Sequence, residues 1–167
     1  IADGFEVLFV HFPGPDAAGH NYGWMSDTYL GTVANSDEAV GRVLAALDGA
    51  GLRDSTLLLV TADHGGHGEL HGSDLPEDMT IPWIIAGPGV VAGQVLQSPI
   101  TVYDTAATAA WALGLPMPDD MDGNPVLEAF GQTAIRPGAG LAFRPRPKVI
   151  FPVRGSPWYV EVSFPGP

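Results

Sequence analysis

The sequence predicts an α/β domain on a largely parallel sheet, and three observations point there. Short apolar runs rich in β-formers occur at 6–12 (EVLFVHF), 55–62 (STLLLVTA) and 81–86 (IPWIIA). Residues 26–48 carry apolar residues at helical spacing, and a capping-box signal precedes a second helix at 102–113. Clusters of turn formers separate the runs. Strand, helix, strand, then strand and helix is the order of an α/β sheet.

Each element has a local cause. The run at 6–12 suits a buried strand. PGPDAAGHNYG after it reads as a stretch of turns. Over 26–48, Tyr29, Val33, Val40, Val43, Leu44 and Leu47 recur at helical spacing, Ser26 is the candidate N-cap, and Gly49 and Gly51 stop the helix. STLLLVTA predicts a second buried strand and IPWIIA a third, closed by GPG at 87–89. Thr101 with Asp104 forms a capping box for the helix at 102–113, which ends at Gly114 and Pro116.

Composition bounds the chemistry. The chain has 167 residues, 46% of them hydrophobic, enough for a core. It has no Cys, which excludes a disulfide scaffold, a thiolate metal site and a Cys nucleophile. No apolar run approaches the ~20 residues of a membrane span. The net charge is -12, and all but one of the 19 acidic residues precede residue 136. That acidic body argues against a nucleic-acid grip. Asp74, Glu77 and Asp78, and then Asp119, Asp120 and Asp122, form two acidic knots that read as solvated loops. The basic residues Arg136, Arg144, Arg146, Lys148 and Arg154 follow, in a Pro-spaced context that does not suggest a nucleic-acid site.

All five histidines, His11, His20, His64, His67 and His71, lie at or just after predicted strand ends, the edge where α/β sheets bind ligands. Asp16 and His20 stand one helical turn apart, so a helix would put both on one face. Asp63 and His64 are adjacent, and Gly65 and Gly66 let the backbone bend so that both can face one site. Asp and His converging without Cys is a donor set for Zn²⁺ or Mn²⁺. His11 reads as a hydrogen-bonded core residue and His67 as solvated; chemistry alone leaves His71 open.

HFPGPDAAGH at 11–20, TADHGGHGELHG at 61–72 and DMTIPWIIAGPGV at 78–90 resemble the alkaline phosphatase superfamily. The nearest branch is the type I phosphodiesterase/nucleotide pyrophosphatases and sulfatase-like hydrolases, and the resemblance covers about residues 5–115. It implies a three-layer sandwich around a largely parallel central sheet. It implies two divalent ions, Zn²⁺ with Mn²⁺ as the alternative, about 4 Å apart. Asp16 and His20 match two ligands of the first ion, with His71 as its third, or His67 in its place. Asp63 and His64 match ligands of the second. The implied reaction is attack of a Thr or Ser oxygen on phosphorus, in a small-molecule phosphate ester or nucleotide-type substrate.

The family's nucleophile and a further Asp ligand lie well upstream of Asp16, where this chain has only Asp3 and no nucleophile motif. Thr80 and Ser73 lack the family's nucleophile context. Residues 1–129 are therefore expected to be the C-terminal half of the hydrolase domain, incomplete on its N-terminal side, with no catalytic residue of its own and little turnover alone. Residues 130–148 read as a linker and 149–167 as a small β-rich tail, the start of an accessory β module. Three alternatives stand beside phosphodiester hydrolysis: a sulfatase or phosphonate hydrolase with one metal, a phosphomutase-like or phosphotransferase member, and a non-catalytic fragment with vestigial metal sites. Absent Cys and family habit lean extracytoplasmic.

Overall fold

A computed structural model describes residues 6–132 and 148–149. The elements are α1 (Gly14–Tyr22), α2 (Asp27–Gly49), β1 (Thr56–Thr61), α3 (Pro76–Met79), β2 (Trp83–Ala86), α4 (Val102–Ala112) and β3 (Lys148–Val149), with 3₁₀ turns at Arg53–Ser55 and Leu127–Phe130. They divide into two compact units, one holding the sheet and α4, the other α1, α2 and the segment 62–82.

In the sheet unit the strand order is β2-β1-β3. β1 pairs antiparallel with β2, from Leu58 opposite Ala86 to Thr61 opposite Trp83. It pairs parallel with β3 only at Thr56 and Leu57. The expected largely parallel sheet is therefore corrected to a mixed one whose main ladder is antiparallel, and the described residues do not form a three-layer sandwich. The chain leaves β1 at Thr61 and enters β2 at Trp83, its partner in the ladder, and the four-residue α3 between them is too short to lie along β1 as a crossover helix does.

Leu57, Trp111, Ala112, Val126, Ala129 and Phe130 form the buried core of this unit, with Trp83 and Ile85 of β2 packed against it. The Trp111 and Phe130 rings meet at 4.8 Å. Trp83 Nε1 donates to Thr105 Oγ1 at 3.0 Å, tying β2 to α4. The α4 start follows its sequence signal, with Thr101 N and Oγ1 both donating to Asp104 Oδ2, at 2.7 and 2.9 Å.

In the other unit, Ser26 caps α2 by accepting from Tyr29 N at 3.2 Å, as its position predicts. Two expectations fail here. The run at 6–12 is not paired into the sheet, and Val7 and Phe9 stay 39% and 55% exposed. The stretch read as turns forms α1 instead. Pro13 is its N-cap and Pro15 sits in the first turn, where its missing N–H costs no helical bond. Of the predicted linker and β-rich tail only 130–132, Lys148 and Val149 are described, and Phe130 lies in the buried core. No helix among the described residues is long and apolar enough to cross a membrane.

Candidate metal centre

Two backbone segments supply the candidate ligands. Helix α1 carries Asp16 and His20 one turn apart, with His20 Nε2 3.5 Å from Asp16 Oδ1. The segment after β1 is folded by its glycines and by α3. Gly65 N donates to Asp78 O at 2.7 Å and Gly66 N to Glu77 O at 2.9 Å. A Cβ at Gly65 would collide with the Glu77 carbonyl oxygen, so only glycine permits that approach. His67 and Leu70 then exchange a pair of 2.9 Å backbone hydrogen bonds around Gly68, at φ +52°. That reversal lays the His71 ring on His64, centroids 3.8 Å apart and 17° from parallel.

The two segments meet at one atom. Asp16 Oδ1 lies 3.5 Å from His20 Nε2, 3.7 Å from His71 Nε2 and 3.8 Å from His64 Nε2. It is buried and has no hydrogen-bond partner among the described residues. A buried carboxylate oxygen without a partner is costly, and these spacings are too long for hydrogen bonds. They are close to the ~3.4 Å edge of a tetrahedron whose corners sit ~2.0–2.1 Å from a shared ion. Ligating atoms of Asp16, His20 and His71 all lie within 4.8 Å of one another.

Backbone carbonyls fix the imidazoles. His20 Nδ1 is 2.9 Å from Glu69 O and His64 Nδ1 2.7 Å from Gly65 O. A carbonyl only accepts, so each Nδ1 carries the proton. Each Nε2 then presents a lone pair toward Asp16, the tautomer a metal-binding histidine needs. The tight group is one carboxylate and two imidazoles, with His64 beside it but outside it; nitrogen with carboxylate oxygen suits Zn²⁺ or Mn²⁺ better than Ca²⁺ or Mg²⁺, which take oxygen shells.

Asp63 stands at the rim. Its side chain is 77% exposed and Oδ2 lies 3.8 Å from His64 Nε2. Asp63 and Asp16 thus flank the same imidazole nitrogen. Asp63 is not part of the tight group of Asp16, His20 and His71.

Three sequence expectations are corrected around the centre. His11 is exposed rather than in a core, its ring 6.4 Å from Phe9. His67 does not take His71's place beside Asp16; its side chain stays partly exposed and its Nδ1 donates to Asp78 Oδ1 at 2.7 Å. Asp78 is not solvated, being 3% exposed. Ser73 N and Oγ each donate to Asp78 Oδ2 at 2.8 Å. The His67 hydrogen bond chiefly, and those of Ser73, hold the Asp78 carboxyl down at about 2 against the opposing effect of burial. Ser73's hydroxyl is thereby committed to Asp78. Trp24 was not legible as a site residue. Its ring lies 5.1 Å from His20 and 5.8 Å from His71, edge-on to both.

The family model of type I phosphodiesterase / nucleotide pyrophosphatase matches residues 2–75, which include all five candidate ligands. The chain is 32% identical to the steryl-sulfatase of Rattus norvegicus over 134 residues, 69% of this chain and 23% of the relative. It is 36% identical to an extracellular sulfatase SULF-1 homolog of Drosophila melanogaster over 104 residues, 59% of this chain and 9% of the relative. A 2,3-bisphosphoglycerate-independent phosphoglycerate mutase of Haloarcula marismortui is 29% identical over 128 residues, 74% of this chain and 24% of the relative. The chain belongs to the alkaline phosphatase superfamily. Within that superfamily it falls in the sulfatase-like branch, and it spans about a quarter or less of the length of these relatives.

Proposed function

We propose that the protein is a metal-dependent hydrolase of small phosphate esters, of the phosphodiesterase or nucleotide pyrophosphatase type. Asp16, His20, Asp63, His64 and His71 hold its two divalent ions, Zn²⁺ or Mn²⁺. The observation that carries this is the buried, unpartnered Asp16 Oδ1 facing three imidazole nitrogens at 3.5–3.8 Å. When bound, divalent ions in such a site polarise the ester and stabilise its attacking and leaving oxygens. The chain's own groups prepare that binding. Glu69 O and Gly65 O fix the tautomers of His20 and His64. Asp16 supplies negative charge between two segments that otherwise bring neutral rings. Asp16 and Asp63 alone would repel an anionic ester, so anion binding here requires cations.

Sulfate-ester hydrolysis is the second reading, favoured by the rat and Drosophila sulfatases. An extracytoplasmic location is part of the proposal, supported by the Drosophila relative's name, an extracellular sulfatase. The test uses the full-length protein with bis-p-nitrophenyl phosphate and p-nitrophenyl sulfate side by side, with added Zn²⁺ or Mn²⁺. Expected is phosphodiester turnover that chelator removes and His20→Ala lowers at least ~100-fold. Turnover of the sulfate ester alone would overturn the phosphate reading. Chelator-resistant turnover would overturn the metal reading.

A further inference from the structure

We propose that Trp24 is the positioning residue of the metal centre, holding the two ligand-bearing segments at ion-binding distance. The inference rests on the metal reading above and concerns how this chain builds the site.

Asp16 and His20 come from α1; His64 and His71 come from the segment after β1. Nothing in the covalent chain sets their separation, since His20 and His64 lie 44 residues apart in sequence. Trp24 touches both segments. Its backbone N donates to Gly68 O at 2.7 Å. Its ring carbons Cδ2 and Cε2 are approached by Gly19 of α1, where a Cβ would lie 2.7 Å away. The same two carbons are approached by Gly66, where a Cβ would collide with the ring. The indole thus sits in a cradle made by a glycine from each segment, and each glycine lies one or two residues from a candidate ligand, His20 or His64. Its edge contacts to the His20 and His71 rings restrict how those imidazoles turn.

The backbone around Trp24 is unusual in the same sense. Gly23 has φ +90° and Met25 φ +66°, the one non-glycine residue with positive φ among the described residues. A Met in that region is strained, and strain of this kind persists only where surroundings over-determine it. Met25 is itself 71% exposed, so its own packing does not offset the strain. Gly23 N donating to Gly19 O at 2.8 Å and Ser26 N donating to Gly23 O at 3.3 Å close this turn, and Trp24, through its bond to Gly68 O and its ring, ties it to the second segment.

The test is Zn²⁺ titration of the 167-residue chain by calorimetry at pH 7.5, with Trp fluorescence read in parallel. Trp24→Ala is expected to weaken Zn²⁺ binding on the order of 10- to 100-fold, the range for residues that orient ligands. Trp24→Phe, which keeps a ring against His20 and His71, is expected within ~5-fold of the native chain. Gly66→Ala should weaken binding by displacing the indole, yet add little on top of Trp24→Ala, because the clash then has no partner. Zn²⁺ should change the native emission, and that change should be lost in Trp24→Phe. If circular dichroism shows Trp24→Ala unfolded, the Trp24→Phe and Gly66→Ala results decide. Native-like affinity in Gly66→Ala together with unchanged emission on binding overturns the inference, as does affinity within ~3-fold in a folded Trp24→Ala. A native chain that binds no Zn²⁺, or binds it equally well as His20→Ala, instead removes the metal reading itself.

Discussion

Asp78 and Asp16 are both carboxylates turned toward histidine, and the chain treats them oppositely. Asp78 accepts three hydrogen bonds at 2.7–2.8 Å, from His67 and twice from Ser73. Asp16 Oδ1 faces three imidazoles at 3.5–3.8 Å and accepts none. The first arrangement is complete as it stands, with its charge stabilised by short bonds. The second lacks such bonds and is the cluster proposed to hold an ion. The same residue types thus separate into a hydrogen-bonded node and a proposed metal-holding one, at 2.7–2.8 Å against 3.5–3.8 Å.

The largest expected effect breaks the hydrogen-bonded node. Gly65→Ala drives a methyl into the Glu77 carbonyl, beside the Gly65 N to Asp78 O bond. Backbone must move, so the expected loss is ~3 kcal/mol or more in urea unfolding. A change under ~0.5 kcal/mol would mean the segment is not held as described.

Exchanging the two carboxylates sharpens the contrast. Asp78→Asn places an amide donor where His67 and Ser73 also donate, so the unliganded chain should melt at a clearly lower temperature. Asp16→Ala should leave the unliganded chain within ~0.5 kcal/mol of native or make it more stable, because it removes a buried oxygen with no partner. It should nonetheless weaken Zn²⁺ binding ~100-fold or more. Thermal melts with and without Zn²⁺ read both, and a strongly destabilising Asp16→Ala would erase the distinction.

The nodes should also part on the pH axis. Asp78 sits at about 2, below its ordinary 3.8, so the unfolded chain takes up the proton first as pH falls. Its stabilisation is complete above about 3.8 and is lost as pH falls toward about 2. Asp104 and Glu128 are also lowered, so the readout is the difference between the native chain and Asp78→Asn. Zn²⁺ affinity should already be lost as pH falls through ~6.5, well before Asp78 titrates, because free imidazole takes up a proton there. Equal Zn²⁺ affinity at pH 7.5 and 5.5 would argue against histidine ligands.

Much of this was visible in local sequence, and what was missed shares a cause. Ser26, Thr101 with Asp104, and the runs behind β1 and β2 carry their signals within a few residues. The Asp16–His20 spacing did likewise, once a helix was allowed there. Pro13 and Pro15 hid α1 because prolines read as turns unless placed in a first turn. Sheet direction depends on where the chain goes between strands, which β1 and β2 do not encode themselves. Asp78 looked solvated because its neighbours Glu77 and Asp74 are charged; its burial depends on His67, eleven residues away. Trp24 offered no motif at all. Its only trace was glycine at 19 and 66, each near a candidate ligand.

The smallest effect tests whether Asp78 is over-determined. Ser73→Ala removes the hydroxyl bond but leaves Ser73 N and His67 in place. The expected cost is about 1 kcal/mol, with Zn²⁺ affinity unchanged within ~3-fold.

The most direct measurement is a Zn²⁺-soaked crystal of the chain, with anomalous scattering collected at the zinc edge. The expected result is a peak ~2.0–2.2 Å from Asp16 Oδ1, His20 Nε2 and His71 Nε2. A zinc peak elsewhere, with Asp16 Oδ1 still facing three unoccupied imidazoles, would contradict the assignment of this cluster as the metal centre.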